Sequence, residues 1–256
     1  MFSLESWHER FQQQAAWTSS LRRYLLEITQ AKNAALILEV GCGTGALTSD
    51  LHAQTPAQIF GVDIDLPRLE FARKADPQSQ LACADGLRLP FPAASFDLTL
   101  CHYFLLWVAR QGALAALAEM RRVTRPGGWV LALAEPDYGG RVDYPAELAD
   151  LGKLQTQALR AQGADPEIGR RLPALLLQAG LKEVRSGVVG GEWQHPGAPA
   201  PQEDHTSELE SDVLAHDLRD RISPAEMARY RAIEASARQS GERLLFVPTF
   251  YAYGVV

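Results

Sequence analysis

The sequence predicts an α/β protein with a doubly wound sheet, on three observations. Short apolar runs alternate with helical patterns along the first 140 residues, the first run ends in a glycine-rich loop, and aspartates stand at the ends of the next two. Open sheets of this kind bind ligands at the carboxyl ends of their strands, where those glycines and aspartates fall. In chain order, a helix is predicted from Ser6 to Thr29, opened by a capping box of Ser6 and Glu9. Buried strands follow at Ala35 to Val40, Ile59 to Asp63, Gln80 to Ala84, Phe96 to Leu100 and Trp129 to Ala134. Asp65 caps the helix after the second strand, and Asp97 has a structural role at the start of the fourth. Pro126, Gly127 and Gly128 turn the chain into the fifth.

Beyond residue 140 the pattern predicts a helix from Tyr144 to Ala161 and another interrupted or restarted by Pro173 and ended by Gly180. A sixth strand is expected from Val184 to Gly190 and a seventh from Leu245 to Val256, with pairing only after Pro248. Between them lies a proline-rich connector, Gln194 to Gln202, and two amphipathic helices, the second opened by Ser223, Pro224 and Glu226. The expected organisation is an N-terminal helical cap (1–32), a core (33–194 and 242–256) and a helical insertion or cover (195–241).

The chain has 256 residues with 25 basic and 31 acidic side chains, a net charge of −6, and 46% hydrophobic residues. That composition predicts a soluble globular protein and offers no basic footprint for nucleic acid. No apolar run is long enough to span a membrane, and Met1 to Arg10 lacks the pattern of a targeting segment, so a cytoplasmic location is expected. Cys42, Cys83 and Cys101 have neither disulfide nor zinc-knuckle spacing. No metal site is predicted; His195, Glu203, Asp204 and His205 read as a solvated loop.

The informative segment is Glu39 to Gly45, at the first strand-to-helix junction. Gly41, Gly43 and Ala46 satisfy the dinucleotide pattern G-x-G-x-x-G/A, which alone leaves an NAD-dependent oxidoreductase open. Glu39 places a carboxylate where a pyrophosphate would be repelled and an ammonium welcomed. Asp63, 18 residues beyond Gly45, can accept hydrogen bonds from both ribose hydroxyls, and Asp85 suits an exocyclic adenine amine.

These motifs, with Leu89, Pro90 and Phe91, Phe96 and Asp97, and Pro126 to Gly128, resemble the class I S-adenosylmethionine-dependent methyltransferases of the type 11 small-molecule group over residues 35–140. The resemblance implies a seven-stranded, Rossmann-like, mostly parallel sheet with an antiparallel last strand. It also implies S-adenosyl-L-methionine as cofactor and methyl transfer to a small-molecule acceptor by in-line displacement. Gly41 and Gly43 would line the methionine part, with Cys101 near it. Glu39 would face the ammonium, Asp63 the ribose, Ile64 and Gly86 the adenine ring, and Asp85 its amine. A noncatalytic adenosyl-binding module is the other reading kept open. Glu135 to Tyr138 superficially matches the Asp/Asn-Pro-Pro-Tyr motif of nucleic-acid amino-methyltransferases, but it follows the fifth strand and lacks the second proline. Trp17, Tyr103, Trp107, Tyr138, Arg141 and Tyr144 are the candidate acceptor-pocket residues, and His102 is the candidate base. The motifs encode neither the acceptor atom nor the oligomeric state.

Overall fold

The computed structural model describes residues 3–108, 112–190, 214 and 216–256. Nine strands occur among them: β1 (Leu36–Val40), β2 (Gln58–Asp63), β3 (Gln80–Cys83), β4 (Phe96–Cys101), β5 (Thr124–Pro136), β6 (Val142–Tyr144), β7 (Lys182–Val189), β8 (Leu244–Phe246) and β9 (Thr249–Val255). Seven form one sheet in the order β3-β2-β1-β4-β5-β9-β7, in which only β9 is antiparallel to its neighbours. The order reverses between β1 and β4. Their registers bring Val40 beside Val62 and Cys101, and Asp63 beside Cys83, so the loops after the first four strands open at one edge.

The helices are α1 (Leu4–Trp17), α2 (Ser19–Ile28), α3 (Ala46–Gln54), α4 (Leu66–Ala75), α5 (Gly112–Val123), α6 (Ala149–Ala161), α7 (Leu172–Gln178) and α8 (Pro224–Ser240). Strand alternation sorts the core into two layers. Leu38 and Val40 pack with Leu117 and Met120 of α5 and Leu172 and Leu176 of α7, whereas Ile37 packs with Leu25 of α2 and Leu47 and Leu51 of α3. A third cluster joins Leu148 and Leu151 to Leu218 and Tyr230 of α8.

Several expected devices are in place. The Asp65 carboxylate accepts from Arg68 N–H at 3.1 Å, capping α4, and Asp97 Oδ2 accepts from Ala35 and Leu36 N–H at 2.7 and 2.8 Å. Ser223 and Glu226 cap α8 reciprocally, with Pro224 in its first turn, and Gly180 follows α7 at φ +84°.

Three expectations are corrected. The N-terminal helix is capped by Ser3, whose Oγ accepts from Ser6 N–H at 3.1 Å, rather than by Ser6. It also breaks at Thr18, where the hydroxyl bonds back to Ala15 O at 3.2 Å and competes with the helical ladder. The helix expected from Tyr144 begins at Ala149, because Val142 to Tyr144 pair with Leu244 to Phe246 in a second, two-stranded sheet. Three-residue strands are too short for a period to register. The connector and most of the first insertion helix lie outside the described residues, as do His195, Glu203, Asp204 and His205. No helix among the described residues is long and apolar enough to cross a membrane.

Candidate functional site

The loop after β1 is folded onto β2: Gly41 and Cys42 N–H both donate to Val62 O, at 2.8 and 3.0 Å. Gly43, at φ +52°, then donates its N–H to Asp63 Oδ2 at 2.8 Å. The other oxygen, Oδ1, accepts from Asp65 N–H at 2.9 Å. Asp63 therefore ties both loops together and still has lone pairs for a ligand. Glu39, 2% exposed, accepts from Thr48 Oγ1 at 2.5 Å. Burial pushes its carboxyl up to about 7, against the pull of Thr48 and of the Arg22 charge. Glu39, Gly41, Cys42, Gly43 and Asp63 line one cavity of about 640 Å³, in the range of small-molecule sites.

Phe104 sets the shape of this edge, a role that no sequence pattern announces. A Cβ on Gly41 would lie 2.5 Å from the Phe104 ring, and one on Gly86 would lie 2.6 Å from it. Both glycines thus make room for an aromatic wedge between the first and third loops. Glu135, fully buried at the end of β5, holds the turn that carries the wedge. Its carboxylate accepts from the N–H groups of Phe104, Leu105 and Leu106 at 3.0, 2.8 and 3.1 Å. Burial drives Glu135 up to about 8, while those three bonds pull the other way.

Helix α1 roofs the glycine loop. His8 Nδ1 lies 2.9 Å from Thr44 Oγ1, and the Phe11 ring lies 3.4 Å from where a Gly43 Cβ would stand. Trp7 stacks on Phe11 at 5.8 Å and meets His216 edge-on at 6.1 Å, joining the roof to the insertion. Beneath it the cavity continues past His102, Tyr103, Trp107, Tyr138, Gln155, Gln162 and Asp217.

Of the predicted cofactor residues, Glu39, Gly41, Gly43, Asp63, Ile64, Asp85 and Gly86 line the cavity. Cys101 does not: it is fully buried in the sheet at the end of β4, one residue short of the loop. Tyr103, Trp107 and Tyr138 are in the wall, but three other acceptor candidates are not. Trp17 lies at the far end of α1 under the Arg10 guanidinium, 4.8 Å from its ring centre. Tyr144, 53% exposed, belongs to the small sheet. Arg141 is buried, its Nε and Nη2 on Asp143 at 2.6 and 3.1 Å and its Nη1 on Gln155 Oε1 at 2.5 Å, so its charge is spent inside the protein. His102 is at the wall, with Nε2 3.0 Å from Thr18 Oγ1. Burial, aided by the Arg22 charge, pulls it down to about 3, which leaves a neutral imidazole with little basicity.

Residues 38–132 match the family model described as a methyltransferase domain. Over those residues the chain is similar to methyltransferase domains. An uncharacterized methyltransferase of Schizosaccharomyces pombe is 30% identical over 177 residues, 64% of this chain and 63% of that one. A trans-aconitate 2-methyltransferase of an Azoarcus species is 38% identical over 115 residues, 44% of each chain. The match to these curated relatives thus spans less than two thirds of their length. Among solved structures, a SAM-dependent methyltransferase from Archaeoglobus fulgidus superposes with a TM-score of 0.56 at 14% identity, over 93% of this chain and 92% of that one. The chain has the Rossmann-like fold expected of it, with the antiparallel strand β9 in place.

Proposed function

We propose that the protein is an S-adenosylmethionine-dependent methyltransferase acting on a small-molecule acceptor, in the cytoplasm. The observation that carries this reading is the pairing, in one cavity, of a loop-tied Asp63, which suits a ribose, with a buried Glu39, which does not suit a pyrophosphate. The donor set fits an adenosyl cofactor: Glu39 for the ammonium, Asp63 for the ribose hydroxyls, Asp85 for the adenine amine, and Ile64, 72% exposed, for the ring face. Bound there, S-adenosylmethionine supplies a methyl group on a sulfonium whose leaving thioether needs no proton.

The chain's own tasks are to bind, orient and exclude water. Such positioning is worth about 7 to 11 kcal/mol in favourable systems. Trp7, Phe11 and Tyr138 wall the cavity, and α1 and Asp217 close it. His102, neutral and bonded to Thr18, holds the wall together rather than taking a proton. Relatives that methylate demethylmenaquinone and trans-aconitate are consistent with a small acceptor.

Calorimetry with S-adenosylhomocysteine and with NAD tests the reading. Binding of the first and not the second is expected; the reverse establishes the oxidoreductase alternative. Incubation with labelled donor and a fractionated small-molecule extract then separates an enzyme from a binding module.

A further inference from the structure

We infer that Asp217 recognises the acceptor, and that the acceptor carries an N–H or O–H donor, an ammonium or hydroxyl, on a flat apolar body. The inference rests on the methyltransferase reading of the same cavity and goes beyond it in naming what the second half receives.

The argument starts with the amides of α6. Gln155 in the middle of α6 and Gln162 at its C-cap, seven residues apart, both line the cavity, and both side chains bond to the Asp217 carboxylate. The orientation of Gln155 is fixed by chemistry. Arg141 has donors only and holds Gln155 Oε1 at 2.5 Å, so the Gln155 amide nitrogen is left to donate to Asp217. Arg141 is itself clamped on Asp143, which also accepts from Arg243 Nη2 at 3.2 Å. A buried ionic frame between the small sheet and α6 thus aims one amide at one carboxylate.

A carboxylate has about four lone-pair sites, and two amide donors leave room for a third donor from the cavity side. Asp217 is half-buried, and burial raises its carboxyl above the ordinary range, so an incoming donor relieves a desolvated charge. Among the described residues, Arg10 and His216 also act on it electrostatically. The Arg10 guanidinium, on the same wall, is engaged by Gln13 Oε1 and lies over the Trp17 ring. Tyr103, Trp107 and Tyr138 supply aromatic surface for a flat body.

Three matched probes read the inference: phenethylamine, 2-phenylethanol and phenylacetate, which share a ring without a hydroxyl and differ in presenting an ammonium, a hydroxyl or a carboxylate. Each is titrated by calorimetry and saturation-transfer NMR into protein with and without S-adenosylhomocysteine. Phenethylamine or 2-phenylethanol is expected to bind at least about tenfold more tightly than phenylacetate. Preference for phenethylamine over 2-phenylethanol identifies an ammonium; near equality identifies a neutral donor. Asp217→Asn should bring the three within about threefold of one another. Gln155→Leu should weaken the preference without reversing it. Retained S-adenosylhomocysteine affinity in both variants shows that they fold. Equal or tighter binding of the carboxylate, binding of none of the probes, or an unchanged preference in Asp217→Asn overturns the inference. Failure of S-adenosylhomocysteine to bind the wild type overturns the cofactor reading instead, while the probe series on ligand-free protein still reports on Asp217.

Discussion

Asp63 has two kinds of work, holding Gly43 and Asp65 by their N–H groups and facing the cavity. Asp63→Ala should therefore weaken S-adenosylhomocysteine binding by about 1 to 3 kcal/mol, roughly 5- to 150-fold in Kd by calorimetry; normal affinity would remove it from the site. Glu39 makes cofactor binding depend on pH. Its carboxyl, at about 7 without ligand, must ionise to meet an ammonium, so affinity should rise from pH 6 to 8 and Glu39→Gln should flatten that rise. The placement of Glu39 and Asp63 in one cavity was legible in the sequence because a strand end, a glycine loop and an aspartate at fixed spacing leave few options. Phe104, Glu135 and Asp217 were not legible. An aromatic wedge and a buried carboxylate that accepts three N–H groups are defined by where distant loops meet, and no local period encodes that. Cys101 shows the opposite error, since one residue of register separates the sheet interior from the loop.

At the scale of elements, Gly152 sits inside α6, where alanine ordinarily stabilises by up to about 1 kcal/mol. Here a Cβ would lie 2.6 Å from Asp143 Oδ2 and 2.7 Å from Arg141 Nε, both locked in the buried frame. Gly152→Ala should instead destabilise by about 1 to 3 kcal/mol in denaturant unfolding, and a stabilised variant would show that the frame yields. The turn held by Glu135 couples an element to pH. Folded Glu39 and Glu135 keep protons up to about 7 and 8, while the unfolded chain releases them near 4.5, so their stabilisation is full below 4.5 and lost as pH rises. His102 and His8, shifted down from 6.5, act oppositely and only below that value. Between pH 6.5 and 8 the carboxylates govern. The unfolding midpoint should fall across that window, and Glu135→Gln should reduce the slope; an unchanged slope would place the titration elsewhere.

Across the whole molecule, the strand and helix alternation and the two helical layers followed from short, well-spaced apolar runs, and the antiparallel β9 from the family resemblance. The second sheet and the break at Thr18 did not, because three-residue strands and a threonine that bonds back to Ala15 leave no period to read. The cavity assembled from both ends of the chain offers its own optical probe. Trp7 and Trp107 line it, whereas Trp129 packs against Tyr253 on the other side of the sheet. Intrinsic fluorescence should change on adding S-adenosylhomocysteine, and the change should be lost in the Trp7→Phe, Trp107→Phe double variant but kept in Trp129→Phe. Loss in Trp129→Phe alone would mean that the ligand acts from a distance.

The edge-on contact of Trp7 with His216 has a kinetic consequence. It joins the helix over the glycine loop to the segment that carries Asp217, so one contact spans both halves of the cavity. A molecule lodged first against Asp217 would stand in the path to the deeper pocket around Glu39, whereas the reverse order leaves the outer seat free. Steady-state turnover should be sequential and compulsory, donor first, with S-adenosylhomocysteine leaving last and competing with the donor alone. Trp7→Ala should loosen that sequence towards random order, and the diagnostic is whether product inhibition against the acceptor changes its pattern.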